Sequence, residues 1–322
     1  MQKCSGNGSL AFSMAYFVSA VDIGSNAIRM IVGEVRGPSL RIVKKFRAPV
    51  RLGKDVFKNG EISKATLQEA REAFRKFAVI NQKYQVRGCR AVATSATREA
   101  KNKDVFAKLV KDNFGLPVEI IDGIEEARLI HTAVQREVDL SKKRILLIDV
   151  GGGSVEITFS ENGMMSATQS FPMGTVRLLQ EISRRKLTER GIRIVMGEFI
   201  EPLSHYIESH VGNGKPELAV GTGGNLECMG RLKVQLLHKT PNTIVSLPEL
   251  VSISDRLEQL TVKERIDKLN LRPDRADVIF PAVLLVKTVL RHSGAERILI
   301  PGVGLRDGLL WSVAEKSTET QR

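Results

Sequence analysis

ILLIDVGGGSVEITFS, residues 145–160, is the stretch around which the chain reads. Its first residues are apolar up to Asp149, the pattern of a buried strand bounded by glycine. Gly151, Gly152 and Gly153 then form a turn that no side chain obstructs, so backbone N–H groups can approach a ligand closely. A second alternating strand follows at once, and Asp149 and Glu156 flank the turn. A glycine turn between two carboxylates suits a phosphate accompanied by a divalent cation. Glycine hairpins without ligands are common, so the pattern gains its weight from recurrence.

It recurs at residues 18–34, VSAVDIGSNAIRMIVGE. Asp22 falls on Asp149, Gly24 on Gly151, Asn26 on Gly153, Ala27 on Ser154 and Arg29 on Glu156, an ungapped offset of 149 − 22 = 127 residues. Solenoid periods run only to roughly 50 residues. The spacing therefore predicts two related domains, each presenting a strand–turn–strand hairpin to a shared cleft.

The chain has 322 residues, room for two domains with a core in each. A net charge of +13 and a pI near 9.8 favour a polyanionic partner: nucleic acid, polyphosphate or an anionic membrane surface. One Trp and three Tyr leave little for base stacking, which argues against specific nucleic-acid binding. Cys4, Cys89 and Cys228 lack metal-ligand spacing and read as free thiols of a reducing cytoplasm. No stretch reaches the length of a membrane span, and no membrane partner is expected. Residues 10–21 resemble a short signal-peptide core, but cleavage there would delete the first strand of the first repeat. Residues 1–15 are instead expected to be a disordered extension, with Met14 as an alternative start.

Along the chain, residues 39–48 predict a third strand and residues 63–84 a helix capped by Ser63. Residues 86–94 predict a strand ending in TSATRE, which exposes hydroxyls and Arg98 where α/β folds bind ligands. A helix over 123–138 carries Glu125 and Glu126 in its first turn, where acidic groups suit the helix dipole. Further on, a long helix over 192–211 should be kinked or split by Pro202. GTGGN, residues 221–225, should form an anion-binding turn before a helix over 226–237. A single apolar helix is expected over 274–292, then a buried strand at 297–301 and a terminal helix within 302–317. Strands alternating with helices in both halves indicate α/β domains.

DIGSN with Arg29, TSATRE, GIEEAR, IDVGGGSVE, FPMGTVRL, GTGGN and PGVGLRDGLL occur in the order found in the exopolyphosphatase/guanosine pentaphosphate phosphohydrolase family, which the chain resembles over about residues 17–311. The resemblance implies an α/β fold of two ribonuclease-H-like domains in the actin/sugar-kinase/heat-shock-chaperone ATPase superfold, with the active site in the interdomain cleft. The expected boundaries are 16–124 plus 302–318 for the first domain and 125–301 for the second, with a tail at 319–322. Longer members carry a helical C-terminal region that this chain lacks, so it resembles a short, two-domain member.

The implied activity is Mg²⁺-dependent removal of the terminal phosphate of inorganic polyphosphate or, alternatively, of the 5′-terminal phosphate of guanosine pentaphosphate. Carried onto this sequence, Glu126 matches the catalytic glutamate, expected to be the general base. Asp149 and Glu156 match acidic residues needed for activity, expected with Asp22 to hold the metal. The phosphate-binding residues implied are Asp22, Gly24, Ser25, Asn26, Arg29, Arg98, Gly151, Gly152, Gly153, Ser154, Gly221, Thr222 and Gly223. Two departures stand out: Ala27 replaces a usual serine, and Asn225 a usual threonine or serine. An ATP-dependent kinase or ATPase of the same superfold, or a non-catalytic sensor, are the competing classes. The GIEEAR helix argues against the first and Glu126 against the second. A homodimer is the default expectation for a soluble enzyme.

Overall fold

The computed structural model describes residues 15–212 and 214–319. The expected extension therefore lies, but for Ala15, outside the described residues, as do the last three positions of the tail. In the first half, β1 (Tyr16–Ile23), β2 (Ile28–Arg36) and β3 (Ser39–Ala48) form an antiparallel meander. Helices α1 (Leu52–Asn59) and α2 (Lys64–Lys83) lead to β4 (Gly88–Ala93), and α3 (Ser95–Glu99) and α4 (Lys103–Phe114) to β5 (Val118–Ile120). Strands β4 and β5 add in parallel beyond β1, giving the order β3-β2-β1-β4-β5. Ser63 caps α2 as expected, its side chain accepting from the Thr66 N–H.

After α5 (Gly123–Gln135) the second sheet repeats that plan. Strands β6 (Arg144–Val150), β7 (Val155–Glu161) and β8 (Met164–Phe171) form the meander, followed by α6 (Thr175–Arg184) and α7 (Ile192–Val211). Strand β9 (Leu218–Thr222) runs parallel to β6, and α8 (Gly223–Leu237), β10 (Ile244–Ser246), α9 (Leu247–Glu258), α10 (Val262–Leu269), α11 (Pro273–Ala276) and α12 (Ile279–Ser293) precede β11 (Arg297–Leu299). The order β8-β7-β6-β9-β11 matches the first sheet, with β10 added antiparallel at the edge. Helix α13 (Leu305–Glu319) then returns to pack on β1 and α5. Asp22 pairs with Arg29 and Asp149 with Glu156 at the same rung of the two hairpins.

The period of the strands decides which face builds which core. Val18 and Ala20 of β1, with Ile145 and Leu147 of β6, point into a core shared with α5 and α13 between the two sheets. Val21 and Ile23 face the outer core of the first half, and Leu146, Ile148 and Val150 that of the second. Three sequence expectations are corrected. Pro202 does not split α7, which runs through it as one helix, its buried Val195, Met196, Leu203 and Ile207 on the core despite the missing N–H. The helix expected over 274–292 is two, because α11 stops at Ala276 before α12 begins. Pro281 falls in the first turn of α12, where its absent donor costs nothing. The glycines of GTGGN are not a separate turn: Gly221 and Thr222 end β9, and Gly223 opens α8.

Helices α5 and α13 cross at Gly308, where a Cβ would lie 1.9 Å from the Leu129 carbonyl oxygen. That carbonyl is backbone and cannot swing away. Gly308→Ala should therefore destabilise the fold by about 1–3 kcal/mol, although alanine by itself favours a helix. Urea unfolding measures it, and an unchanged or raised midpoint would contradict this account of the crossing.

Candidate active site

The two hairpin turns and the starts of α8 and α13 meet around a cavity of about 340 Å³. Its wall includes Asp22, Gly24, Ser25, Asn26 and Arg29 from the first hairpin. Asp149, Gly151, Gly152, Gly153 and Ser154 come from the second, with Glu126 and Gly223. Glycine at the second turn is a steric requirement. A Cβ on Gly153 would meet the Ser95 and Ser25 hydroxyls at 2.3 and 2.7 Å, and one on Gly174 the backbone of Gly153 and Ser154 at 2.4 Å. The turn is also hydrogen-bonded from outside, Val176 N–H donating to the Gly152 carbonyl and the Arg177 guanidinium to that of Gly153.

Glu126, Asp149 and Glu156 present carboxylate oxygens within 4.8 Å of one another. Asp122 caps α5 by accepting from the Glu125 N–H at 2.8 Å, which aims the first turn, and hence Glu126, at the hairpin. Gly123 lets that helix start pass Ser170, where a Cβ would approach within 2.5 Å. The Ser170 hydroxyl in turn donates to Glu156 Oε1 at 2.7 Å, and that of Thr222 to Asp149 Oδ1 at 2.5 Å. The second oxygens of Glu126 and Glu156 are buried and without a hydrogen-bond partner among the described residues. Burial, then the neighbouring Glu156, Asp149 and Asp22, push the Glu126 carboxyl well up. Burial also raises Asp149, and raises Glu156 to about 7, where Asp149 adds to it. Buried oxygen ligands of like charge with unused lone pairs fit a hard divalent cation such as Mg²⁺.

Several expected residues are engaged with other groups or lie off the cavity. Asp22 is ion-paired with Arg29 at 3.0 Å and lies outside the acidic cluster, though its charge still bears on Glu126. Arg98 does not line the cavity: its guanidinium donates to the Ile121 carbonyl at 2.5 Å, and its charge opposes the upward shifts of Glu126 and Glu156. Gly221 packs under Ile298 and Leu226, and Thr222 is spent on Asp149, so the cavity is reached by Gly223, Gly224 and Asn225 at the α8 N-terminus. The Ser25 hydroxyl accepts from the Ala96 N–H, and Asn26 donates to the Asp274 carbonyl. The unusual Asn225 bridges, donating to the Val150 carbonyl at 2.8 Å and accepting from Arg275.

Sequence reading missed the cationic wall. Lys45, Arg47, Arg231, Arg272, Arg275 and Arg306 all line the cavity. Burial, then Arg272, Arg29, Arg275 and Arg51, lowers Arg47 to about 9, and burial, then Arg29, lowers Arg275 to about 10. Both stay charged at neutral pH, so the crowding marks a place that favours anions. The signal was present in β3, where Lys45 and Arg47 share one face at strand period, and in the RPDR of residues 272–275.

The Ppx/GppA phosphatase family profile matches residues 30–317. The chain belongs to that family. Its curated relatives include the guanosine-5′-triphosphate,3′-diphosphate pyrophosphatases of Photobacterium profundum and Aliivibrio fischeri. The first is 29% identical over 92% of this chain and 59% of its own length, the second 25% identical over 94% and 60%. The chain thus spans about three-fifths of the length of these relatives. Among solved structures, an exopolyphosphatase from Cytophaga hutchinsonii superposes with a TM-score of 0.82 at 24% identity, covering 93% of this chain and 98% of that one. The Aquifex aeolicus Ppx/GppA family member gives 0.74 at 22%, covering 96% and 100%. These structures share the α/β fold of two related sheets. No described helix is long and apolar enough to cross a membrane.

The raised carboxyls have a pH consequence. Between an ordinary value of 4.5 and about 7, folded Glu156 holds a proton that the unfolded chain has released, so this group costs stability as pH rises through that window. Glu156→Gln removes the cost. In metal-free buffer the melting temperature of the variant should gain on that of wild type from pH 4.5 to 7, and added Mg²⁺ should restore wild type. A difference independent of pH would contradict the shift.

Proposed function

We propose that the chain hydrolyses the terminal phosphoanhydride of a polyphosphorylated substrate, with guanosine pentaphosphate the favoured one. The observation that carries the reading is Glu126: buried, on the cavity wall, with an unpartnered oxygen and a carboxyl pushed well up. A base with a raised pKa is better matched to accept a proton near neutrality than an ordinary carboxylate. The names of the curated relatives support the guanosine substrate. Inorganic polyphosphate is the second reading, favoured by the arginine-lined wall.

In this reading the N–H groups of Ser25 and Asn26 in the first turn and of Gly152 and Gly153 in the second receive the non-bridging oxygens of the terminal phosphate, those of Gly24 and Gly151 being spent on the Ala27 and Ser154 carbonyls. Glu126 orients a water and takes its proton as the oxygen attacks phosphorus in line and the anhydride oxygen leaves. Arg29 and the wall arginines hold the departing chain, whose charge grows as the bond breaks. Asp149 and Glu156, beside Glu126, would hold Mg²⁺, which when bound neutralises charge on the phosphate oxygens. The expected division of the chain into domains at 16–124 with 302–318 and at 125–301 would make this a site between domains.

Glu126→Gln keeps the shape and loses the base. Phosphate release should fall by about 10²–10⁴-fold while substrate still binds, and full activity in that variant would remove Glu126 from this role. In wild type, kcat/KM for guanosine pentaphosphate should exceed that for long-chain polyphosphate. The reverse order would put the second reading first, and no release from either substrate would end both.

A further inference from the structure

The carbonyl side of the second glycine turn is taken up by the start of α6. The Gly151 carbonyl accepts from the Thr175 N–H at 3.1 Å, that of Gly152 from Val176 and Arg177 at 2.8 and 3.1 Å, and that of Gly153 from Gly174 at 3.1 Å. N–H groups that a helix start otherwise leaves orphaned thus hold the turn. A trans peptide sets its N–H opposite its carbonyl. The N–H groups of Gly152, Gly153 and Ser154 therefore face away from α6, on residues that line the cavity. Glycine lets such peptide planes rotate at little steric cost. A half rotation of any of them would present a carbonyl oxygen to an incoming phosphate and repel it.

One side chain reinforces that orientation. Arg177 Nε donates to the Gly153 carbonyl at 2.9 Å, and Nη2 of the same guanidinium donates to Glu99 Oε1 at 2.5 Å. The guanidinium carbon lies over the Phe57 ring, 4.0 Å from its centroid. The Ser95 hydroxyl steadies Glu99, donating to the same oxygen at 3.1 Å. Arg177 belongs to the second half of the chain, whereas Phe57, Ser95 and Glu99 come from α1 and α3 of the first. An ion pair to the exposed Glu99 adds little stability. What it adds is direction, because a planar fork on two acceptors with a ring beneath it has one orientation.

We infer that Arg177 is a positioning residue. It fixes the Gly153–Ser154 peptide so that the Ser154 N–H joins those of Gly152 and Gly153 on the terminal phosphate. Glu99 and Phe57 hold Arg177 in place from the opposite half, so the joint between the halves registers one phosphate-receiving turn against the other. The inference rests on the proposed function for what the turn receives.

Arg177→Met keeps an unbranched stem over Phe57 and removes both donors, whereas Glu99→Gln keeps an acceptor and removes the charge. In Arg177→Met, kcat should fall about tenfold while KM stays within about twofold, since the wall arginines still hold the chain. The fall is smaller than the roughly 10²–10³-fold loss for a whole oxyanion donor, because the Gly174 N–H remains on the carbonyl. Glu99→Gln should lower kcat about two- to fivefold. The double variant should be no slower than Arg177→Met, since Glu99 acts through Arg177. In protein isotope-labelled at glycine and serine, the Gly153 and Ser154 amide signals should move in both single variants while that of Gly221 stays. A raised KM at unchanged kcat, or unmoved signals in a variant with a native melting curve, would overturn the inference. So would a double variant slowed by the product of the two single effects. Glu99→Gln with native melting and unchanged kcat would overturn the joint even if Arg177→Met fails to fold. If wild type releases no phosphate, the proposed hydrolysis fails, and the two amide signals alone then decide the positioning.

Discussion

Three carboxylates whose oxygens lie within 4.8 Å of one another, those of Glu126 and Glu156 buried and that of Asp149 half-buried, cannot all ionise without a countercharge, and the local structure follows from that constraint. At an interior separation of a few ångströms, each like-charge pair costs several kcal/mol even when the surroundings screen it well. The protein spends hydroxyls on the problem: Thr222 on Asp149 and Ser170 on Glu156. It leaves one oxygen of Glu126 and one of Glu156 without a partner among the described residues. Removing the cluster's charge with apolar residues would stabilise the fold. The cost is kept at the wall of a cavity, which is where the proposed function uses the cluster.

Duplication explains how carboxylates from separate elements converge. Each sheet ends its first two strands in the same turn, and the two turns touch, with a Cβ on Gly152 coming within 3.1 Å of the Ser25 side chain. Helices α5 and α13 fill the space between the sheets, and their close crossing at Gly308 fixes the height of α5. Glu126 lies one turn before Leu129, the residue whose carbonyl Gly308 meets, so packing far from the cavity sets the reach of the catalytic candidate.

The sheets and the hairpins were legible in the sequence because they depend on short-range signals: alternation, glycine turns and an ungapped repeat that lands on identical rungs. The convergence of Glu126 with Asp149 and Glu156 was legible only through the family resemblance, not from local signals. In the chain alone, Glu125 and Glu126 are interchangeable as first-turn acids, and only the fold separates them: Glu125 pairs with Arg128 in solvent, whereas Glu126 is buried. Arg98 shows the opposite case: the sequence expects it at a strand end among ligand-binding groups, whereas it lies in α3, outside the cavity lining, and its guanidinium donates to the Ile121 carbonyl. Helix α1 and the edge strand β10 escaped because both are short. The cationic wall escaped because its arginines come from β3, α8, α11 with the residue before it, and the start of α13, and no sequence window contains them together.

That wall also explains how the halves are joined at the mouth of the cleft. Arg47 pairs with Asp274, Arg51 with Asp277 at 2.5 Å, and Asn26 donates to the Asp274 carbonyl, all between the first half and α11 or the residue just after it. At the base, by contrast, the contact is apolar: Ile130, Val134, Leu309 and Leu310 between β1 and β6. Burying each such side chain contributes about 1.5–3 kcal/mol. The ion pairs at the mouth, their side chains 16–24% exposed, gain little net because desolvation offsets their attraction. The mouth is therefore the weaker of the two joins, and its carboxylates occupy the guanidinium faces that an incoming polyanion would take. A phosphate chain bound there exchanges one anion for another, so the arginines are never left to repel each other unpaired, whichever partner they hold.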